Sequence, residues 1–154
     1  MKKLILGTML ATLLVFSFSC KKDETETTAT GFSAKVEGTV WTAKNMLAGH
    51  ESLSNLTQIT GMGASVAEQV GLVFKGSGTG TFKMNDDNTG IVVISNYNFT
   101  SFYSENPVGE IVITKYDVTN AKISGTFKFE GEDIDGNVYN VTEGKFDNVQ
   151  LVIQ

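Results

Sequence analysis

The sequence predicts an all-β protein: a single antiparallel β-sandwich, or a closed or partly open β-barrel, built of hairpins and preceded by a signal peptide and a flexible linker. Three observations carry this expectation. After residue 31, apolar and polar residues alternate with a period of two through much of the chain, the spacing that puts one strand face on a core and the other in solvent. Glycine, with 16 copies in 154 residues, recurs between these runs beside Asn, Asp and Ser, as hairpin turns require. Thr, Val, Ile and Phe dominate the second half, where strong helix formers are scarce.

The alternation begins with Phe32, Ala34 and Val36 against Ser33, Lys35 and Glu37. Glu37-Gly38 is a tight turn and residues 40–43 return with Trp41, which makes a hairpin. Residues 56–61 form a strand, and residues 64–69 are the one short stretch compatible with a helix. Residues 69–75 read as a strand, Gly76-Ser77-Gly78 as its turn and residues 79–84 as the return. The polar run from Asn85 to Gly90 is another turn. Ile91-Val92-Val93-Ile94 is uninterrupted β-branched sequence, which suits a strand covered on both faces. Residues 96–103 continue it with a bend.

The clearest pair spans residues 108–116 and 122–130, where Ile123, Gly125, Phe127 and Phe129 alternate with Ser124, Thr126, Lys128 and Glu130. Asp135-Gly136 is a two-residue type I′ turn signal. Residues 138–142, 144–146 and 149–153 close the domain. The chain thus divides into a signal peptide at 1–19, an acylated cysteine with linker at 20–31 and one all-β domain at 32–154.

The leader has its own logic. Lys2 and Lys3 precede an apolar run over residues 4–18, shorter than the about 20 residues of a membrane-spanning helix and suited to a signal peptide core. Ser17, Phe18, Ser19 and Cys20 follow. This resembles the bacterial lipobox, in which the cysteine thiol receives diacylglycerol and the cleaved chain begins at that cysteine; Ser17 stands where Leu is usual. Cys20 is the one cysteine, so it is the expected lipidation site and no disulfide can form within the chain. Lys22-Asp23-Glu24 resembles the signal that sends some Bacteroidota lipoproteins to the outer face of the outer membrane, although a solvated linker explains the same residues. The expected location is the outer membrane, lipid-anchored, facing either the cell surface or the periplasm.

Phe32-Ser33-Ala34-Lys35-Val36-Glu37-Gly38 with Trp41 and Ala43, Ile123-Ser124-Gly125-Thr126-Phe127-Lys128-Phe129 and Asn140-Val141-Thr142-Glu143-Gly144-Lys145-Phe146 together resemble a family of small uncharacterised Bacteroidota lipoproteins. The resemblance implies a lipid-anchored all-β domain with no assigned activity. It carries over no catalytic residue.

Composition narrows the chemistry. The net charge is -5, and loss of Lys2 and Lys3 with the leader makes the remainder more acidic, which argues against nucleic acid. All basic residues are Lys, so the forked guanidinium that grips phosphate is missing. His50 is the one histidine; beside Gly49, Glu51 and Ser52 it reads as an exposed loop residue, with no cysteine to help it hold zinc. Asp133 and Asp135 are weak metal candidates, because Asp133-Ile134-Asp135-Gly136-Asn137 begins like a calcium loop, yet its twelfth position is Gly144 where an EF-hand needs Glu. Asp86 and Asp87 are weaker still. Glu110, Asp117, Glu130 and Glu132 could furnish hydrolytic carboxylates, but no spacing marks a pair.

Aromatic residues offer the better binding signal. Tyr97, Tyr103 and Trp41 are candidate ligand-binding residues, able to stack on a sugar or another flat apolar ligand; Phe99 and Trp41 also suit the core. The expected function is a non-enzymatic binding or structural module at the cell envelope without a cofactor, its partner a glycan, a small apolar ligand or an envelope protein. The alternative is a small envelope hydrolase using carboxylates.

Overall fold

The computed structural model describes residues 31–65 and 67–154. The signal peptide, Cys20 and nearly all of the linker lie outside the described residues. Within them the fold is all-β, with one 3₁₀ turn and no α-helix. The chain order is β1 (Gly31–Val36), β2 (Thr39–Thr42), β3 (Asn45–Glu51), β4 (Leu56–Met62), β5 (Gln69–Lys75), β6 (Gly80–Lys83), β7 (Thr89–Ile94), β8 (Tyr97–Thr100), the turn η1 (Ser101–Tyr103), β9 (Gly109–Asp117), β10 (Lys122–Glu132) and β11 (Val138–Ile153).

The strands form one 11-stranded sheet in the order β2-β1-β11-β3-β4-β5-β7-β8-β10-β9-β6, and β11 also pairs with β10. That additional pairing folds the sheet over itself. One layer is the antiparallel run β2-β1-β11-β10-β9-β6; the other is β3-β4-β5-β7-β8. Two corners join them: the end of β11 lies parallel to β3, and Glu132 at the tip of β10 pairs with Thr100 of β8. The architecture is therefore one mixed sheet folded into two layers and closed at both corners, a sandwich- and barrel-like form but not a clean barrel. The β3–β11 contact is its one parallel pairing, where hairpins alone predict antiparallel neighbours throughout.

The layers cross steeply. The β3–β4 pair has Gly61 against Phe32 of β1 at one end and His50 facing Tyr116 of β9 at the other. The core between the layers holds Phe32, Phe127, Phe129 and Phe146 from one side and Ile59, Val70, Leu72, Phe74, Val92 and Phe99 from the other, all buried. Its rings seat on glycines. A Cβ at Gly61 would lie 2.6 Å from Phe32 Cδ1, at Gly131 2.7 Å from Phe99 Cδ2 and at Gly125 2.6 Å from Phe146 Cζ. Gly90 receives Phe129 and Gly144 receives Phe127 in the same way.

Several local expectations change. The Glu37-Gly38 turn has both residues at positive φ (47° and 75°), as type I′ geometry demands. At Asp135-Gly136 only Gly136 is positive, at 80°, and Gly136 N–H donates to Asp133 O at 3.1 Å while Asp133 N–H donates to Asn137 O at 3.1 Å. This is a three-residue loop with a bulge, longer than the two-residue turn the dipeptide suggests.

Residues 49–52 read as loop, yet 45–51 form β3, because Asn45, Leu47, Gly49 and Glu51 face out while Ala48 and His50 are buried. The short helix suggested over residues 64–69 is not formed: Ala64, Ser65 and Ala67 lie in a bend and turn, and Gln69 begins β5. The three closing segments are one strand, β11, bulged at Glu143 and Asn148, whose φ values are 49° and 50°. Ile91 is 38% exposed, so β7 is covered on one face only.

The seating of rings on glycines sets the first expectation. Gly61→Ala should cost about 1–3 kcal/mol through overpacking against Phe32, read as a lower urea midpoint at unchanged slope. A wild-type midpoint would show that Phe32 yields freely.

Candidate functional site

The two outer faces differ in chemistry. On the six-stranded layer Lys35, Lys83, Lys128, Glu110 and Glu143 point outward and pair as Lys35–Glu143 (2.7 Å), Lys128–Glu110 (3.1 Å) and Lys83–Glu110 (3.9 Å). Exposed pairs like these stabilise little, but they keep this face hydrated. An open depression of about 350 Å³ lies here, lined by Glu110, Glu130, Lys83, Lys128, Asn140 and Thr142 among others. Two of the sequence's carboxylate candidates thus share one hollow, but Glu110 is committed to two lysines. Asp117 is bound elsewhere, capping the Asn120 turn at 2.8 Å through each carboxylate oxygen; the side-chain amide of Asn120 is the largest cause of its lowered pKa.

The outer face of the five-stranded layer carries no charge over three cross-strand rows. One row is Leu47, Thr60, Gly71, Ile91 and Thr100; beside it run Val152, Gly49, Gln58, Val73 and Thr89, and then Asn45, Met62, Gln69, Val93 and Asn98. Leu47 is 49% exposed and Val152 50%.

The proposed aromatic residues are scattered over three places. Trp41, half-buried on edge strand β2, packs edge-on against Phe32 at 6.1 Å. Tyr97, half-buried on β8, meets Tyr139 edge-on at 5.6 Å and Phe99 at 6.4 Å. Tyr103 is 58% exposed in η1, beside Phe102 at 62%. Among the described residues no ring contact links the three. Phe102 was legible as the neighbour of Tyr103 in an aromatic run, but not as its exposed partner.

Phe102 and Tyr103 are displayed by design of the local backbone. Thr100 caps the turn: its Oγ1 accepts from Phe102 N–H at 3.2 Å and donates to Gly90 O at 2.9 Å. Ser101 is fully buried, its Oγ accepting from Gly90 N–H at 2.9 Å. Two hydroxyls therefore clamp the turn to one residue of β7. The following two rings, T-shaped at 6.0 Å, stand in solvent.

The metal candidates resolve into turn chemistry. Asp133 Oδ1 accepts from the N–H groups of Asp135 and Asn137, each at 2.9 Å, and Oδ2 accepts from Asn137 Nδ2 at 2.9 Å and Tyr139 Oη at 3.0 Å. Both oxygens are occupied. Asn137's side-chain donor leads the causes that hold the Asp133 pKa down at about 2, and that same carboxylate raises the Tyr139 phenol. Asp87 lies on the turn between β6 and β7, its N–H donating to Asn85 Oδ1 and its carboxylate 3.7 Å from Lys75 Nζ. Among the described residues no group of three His, Cys, Asp or Glu side chains is placed to share a metal ion.

His50 is buried, 8% exposed, contrary to the exposed loop residue its neighbours suggest. Its place on β3 turns the ring toward Tyr116. The Thr57 hydroxyl donates to Gly76 O at 2.6 Å, so its 3.0 Å contact with His50 Nδ1 makes the ring nitrogen the donor. Tyr116 Oη is buried without a regular hydrogen bond, and burial raises its pKa, an effect partly offset by Thr57. The Thr57 hydroxyl is buried and spent on Gly76 O, and Tyr116 Oη is enclosed, so neither hydroxyl is presented to a ligand.

A family model described as a domain of unknown function, DUF6252, matches residues 28–150. The chain belongs to this family. The expectation of an uncharacterised domain family thus holds, and the match takes in every strand of the DUF6252 domain except the end of β11. No curated protein and no solved structure matches the chain.

The Asp133 turn predicts a pH dependence. Its folded pKa of about 2 lies below the ordinary 3.8, so the turn's contribution is complete above about pH 4 and disappears as pH falls toward 2. Thermal midpoints measured from pH 5 to 2 should fall more steeply in the wild type than in Asp133→Ala; parallel curves would show that the turn is unlinked to global stability.

Proposed function

We propose that this DUF6252 domain is a non-enzymatic binding module of the cell envelope, tethered to the outer membrane through acylated Cys20. The observation that carries the binding role is the Phe102–Tyr103 pair. Two large rings left in water forgo about 1.5–3 kcal/mol of burial for an aromatic of this size, while Thr100 and Ser101 spend side-chain hydrogen bonds on fixing them there. Rigid exposed aromatics of this kind are recognition anchors, because little entropy is lost when they are covered.

The tether reading rests on the sequence of the leader: a cationic start, an apolar run too short to span, and one cysteine at its end. Several acyl chains at about 0.8 kcal/mol per buried methylene make such attachment stable. Bacteroidota origin follows the resemblance of the strand motifs, and Lys22-Asp23-Glu24 favours the cell-surface face over the periplasmic one. The partner class is a glycan, a small apolar ligand or an envelope protein, all able to cover two rings without an ionic contact.

The binding role is tested by thermal shift of the full chain against neutral glycans and apolar small molecules. Tyr103→Ala and Phe102→Ala should each weaken binding about fivefold, for roughly 1 kcal/mol per ring, while leaving the melting point nearly unchanged. Full affinity in both variants would move the site elsewhere.

The anchor is tested in cells fed a fatty-acid probe. Cys20→Ala should abolish labelling; retained label would exclude Cys20 as the acylated residue, and protease shaving of intact cells reports the face.

A further inference from the structure

We propose that the depression over Gly49 is a carbohydrate subsite that takes the apolar face of one uncharged sugar ring. The inference deepens the binding-module reading and rests on it. Gly49 lies in the interior of β3, in an uncharged cross-strand row of the outer face that is flanked by the row Glu51, Leu56 and Lys75. Gly61, Gly71, Gly90, Gly125, Gly131 and Gly144, the glycines inside other strands, each have a structural cause, since a Cβ there would collide with Phe32, Ile91, Phe129, Phe146, Phe99 or Phe127.

Gly49 has no such cause. The nearest atom to a Cβ there is Val152 O at 3.8 Å, an ordinary contact, and its φ lies outside the left-handed region. Glycine within a strand costs roughly 0.5–1 kcal/mol relative to alanine. When neither packing nor backbone requires it, a strand glycine marks close approach by something from outside.

Gly49 helps to line a depression of about 430 Å³ on the sheet. Leu47, Leu56 and Val73 line it together with Gln58, which lies between Gly49 and Val73 in the register, and Glu51 and Gln154 stand at one rim. The rim is rigid, because Gln154 N–H donates to His50 O at 2.9 Å and its carbonyl accepts from Ser52 N–H at 2.9 Å. Glu51 Oε2 is occupied by the Ser54 hydroxyl at 2.6 Å, which leaves Oε1 to accept from a ligand.

Aliphatic side chains around one amide, with a carboxylate at the rim, match a pyranose, whose C–H face is apolar and whose hydroxyls radiate sideways. An anionic ligand would meet Glu51 on a chain of net charge -5, while Lys75 in the same row is paired with Asp87 at 3.7 Å, and a purely aliphatic one would strip water from the amides without replacing its hydrogen bonds. A neutral sugar satisfies both parts.

The test uses the full chain in a detergent without a sugar head group, titrated with neutral gluco-, manno-, galacto- and xylo-hexasaccharides. Gly49→Leu puts a branched side chain into the depression where the sugar ring would rest; it should hold or raise the melting point and weaken binding at least tenfold, with Gly49→Ala intermediate. A melting point several degrees lower in Gly49→Ala would show that the fold itself needs the glycine and would overturn the proposal. Wild-type affinity in Gly49→Leu, with loss in Tyr103→Ala, would overturn the subsite while leaving the binding-module reading intact. Binding of none of the four probes, while apolar small molecules still bind through Tyr103, would overturn the sugar assignment alone; no binding of either class would overturn the sugar assignment and leave the binding module only a protein partner.

Discussion

Phenylalanine rings resting on bare glycine backbone hold this fold together. Phe32 on Gly61, Phe129 on Gly90 and Phe99 on Gly131 join the two layers, while Phe127 on Gly144 and Phe146 on Gly125 stitch β10 to β11 within one of them. Each ring occupies the volume a side chain would fill, so steeply crossed sheets approach closely without voids. Rings and glycines are thus two halves of one steric solution. The same rule makes an unfilled glycine conspicuous, which is why Gly49 stands apart from the others.

Crossed layers also decide what the surfaces offer. The layer built on β10 and β11 turns lysines and glutamates outward in ion-paired sets, whereas the layer of β3, β4, β5, β7 and β8 shows Thr, Asn, Gln and aliphatic side chains with glycine between them. Desolvating charges is costly, so a neutral partner is better received on the second face than on the first. η1 extends from the final strand of that face, and its hydroxyl clamp to Gly90 places two rings next to it. Aromatic pair and uncharged sheet belong to one continuous half of the molecule.

Sequence patterns carried some features well and lost others for identifiable reasons. The β9–β10 pairing follows from strict alternation in Phe127 and Phe129, and the I′ turn at Glu37-Gly38 from the dipeptide itself. The loop at Asp135-Gly136 was read one residue short because Asp133, two positions earlier, captures the backbone N–H groups and opens the turn. Strand β3 went unseen since its inward residues, Ala48 and His50, are weak hydrophobic signals; its partners are β4 and the far end of the chain. Of the aromatic candidates, exposure separated Tyr103 from Tyr97 and Trp41, and exposure depends on which strands lie alongside.

By itself the sequence determined the all-β class, most hairpins, the placement of the one cysteine and the exclusion of disulfides, because these depend on residue type and local spacing. Only the tertiary structure closed the sheet on itself through β10 and β11, turned His50 inward, consumed Asp133 in a turn and left Gly49 uncovered. Those outcomes arise from contacts between residues distant in the chain, such as Ile153 beside His50 and Thr100 beside Glu132. Local pattern carries no record of such neighbours, and they set which side chains meet a ligand and which meet one another.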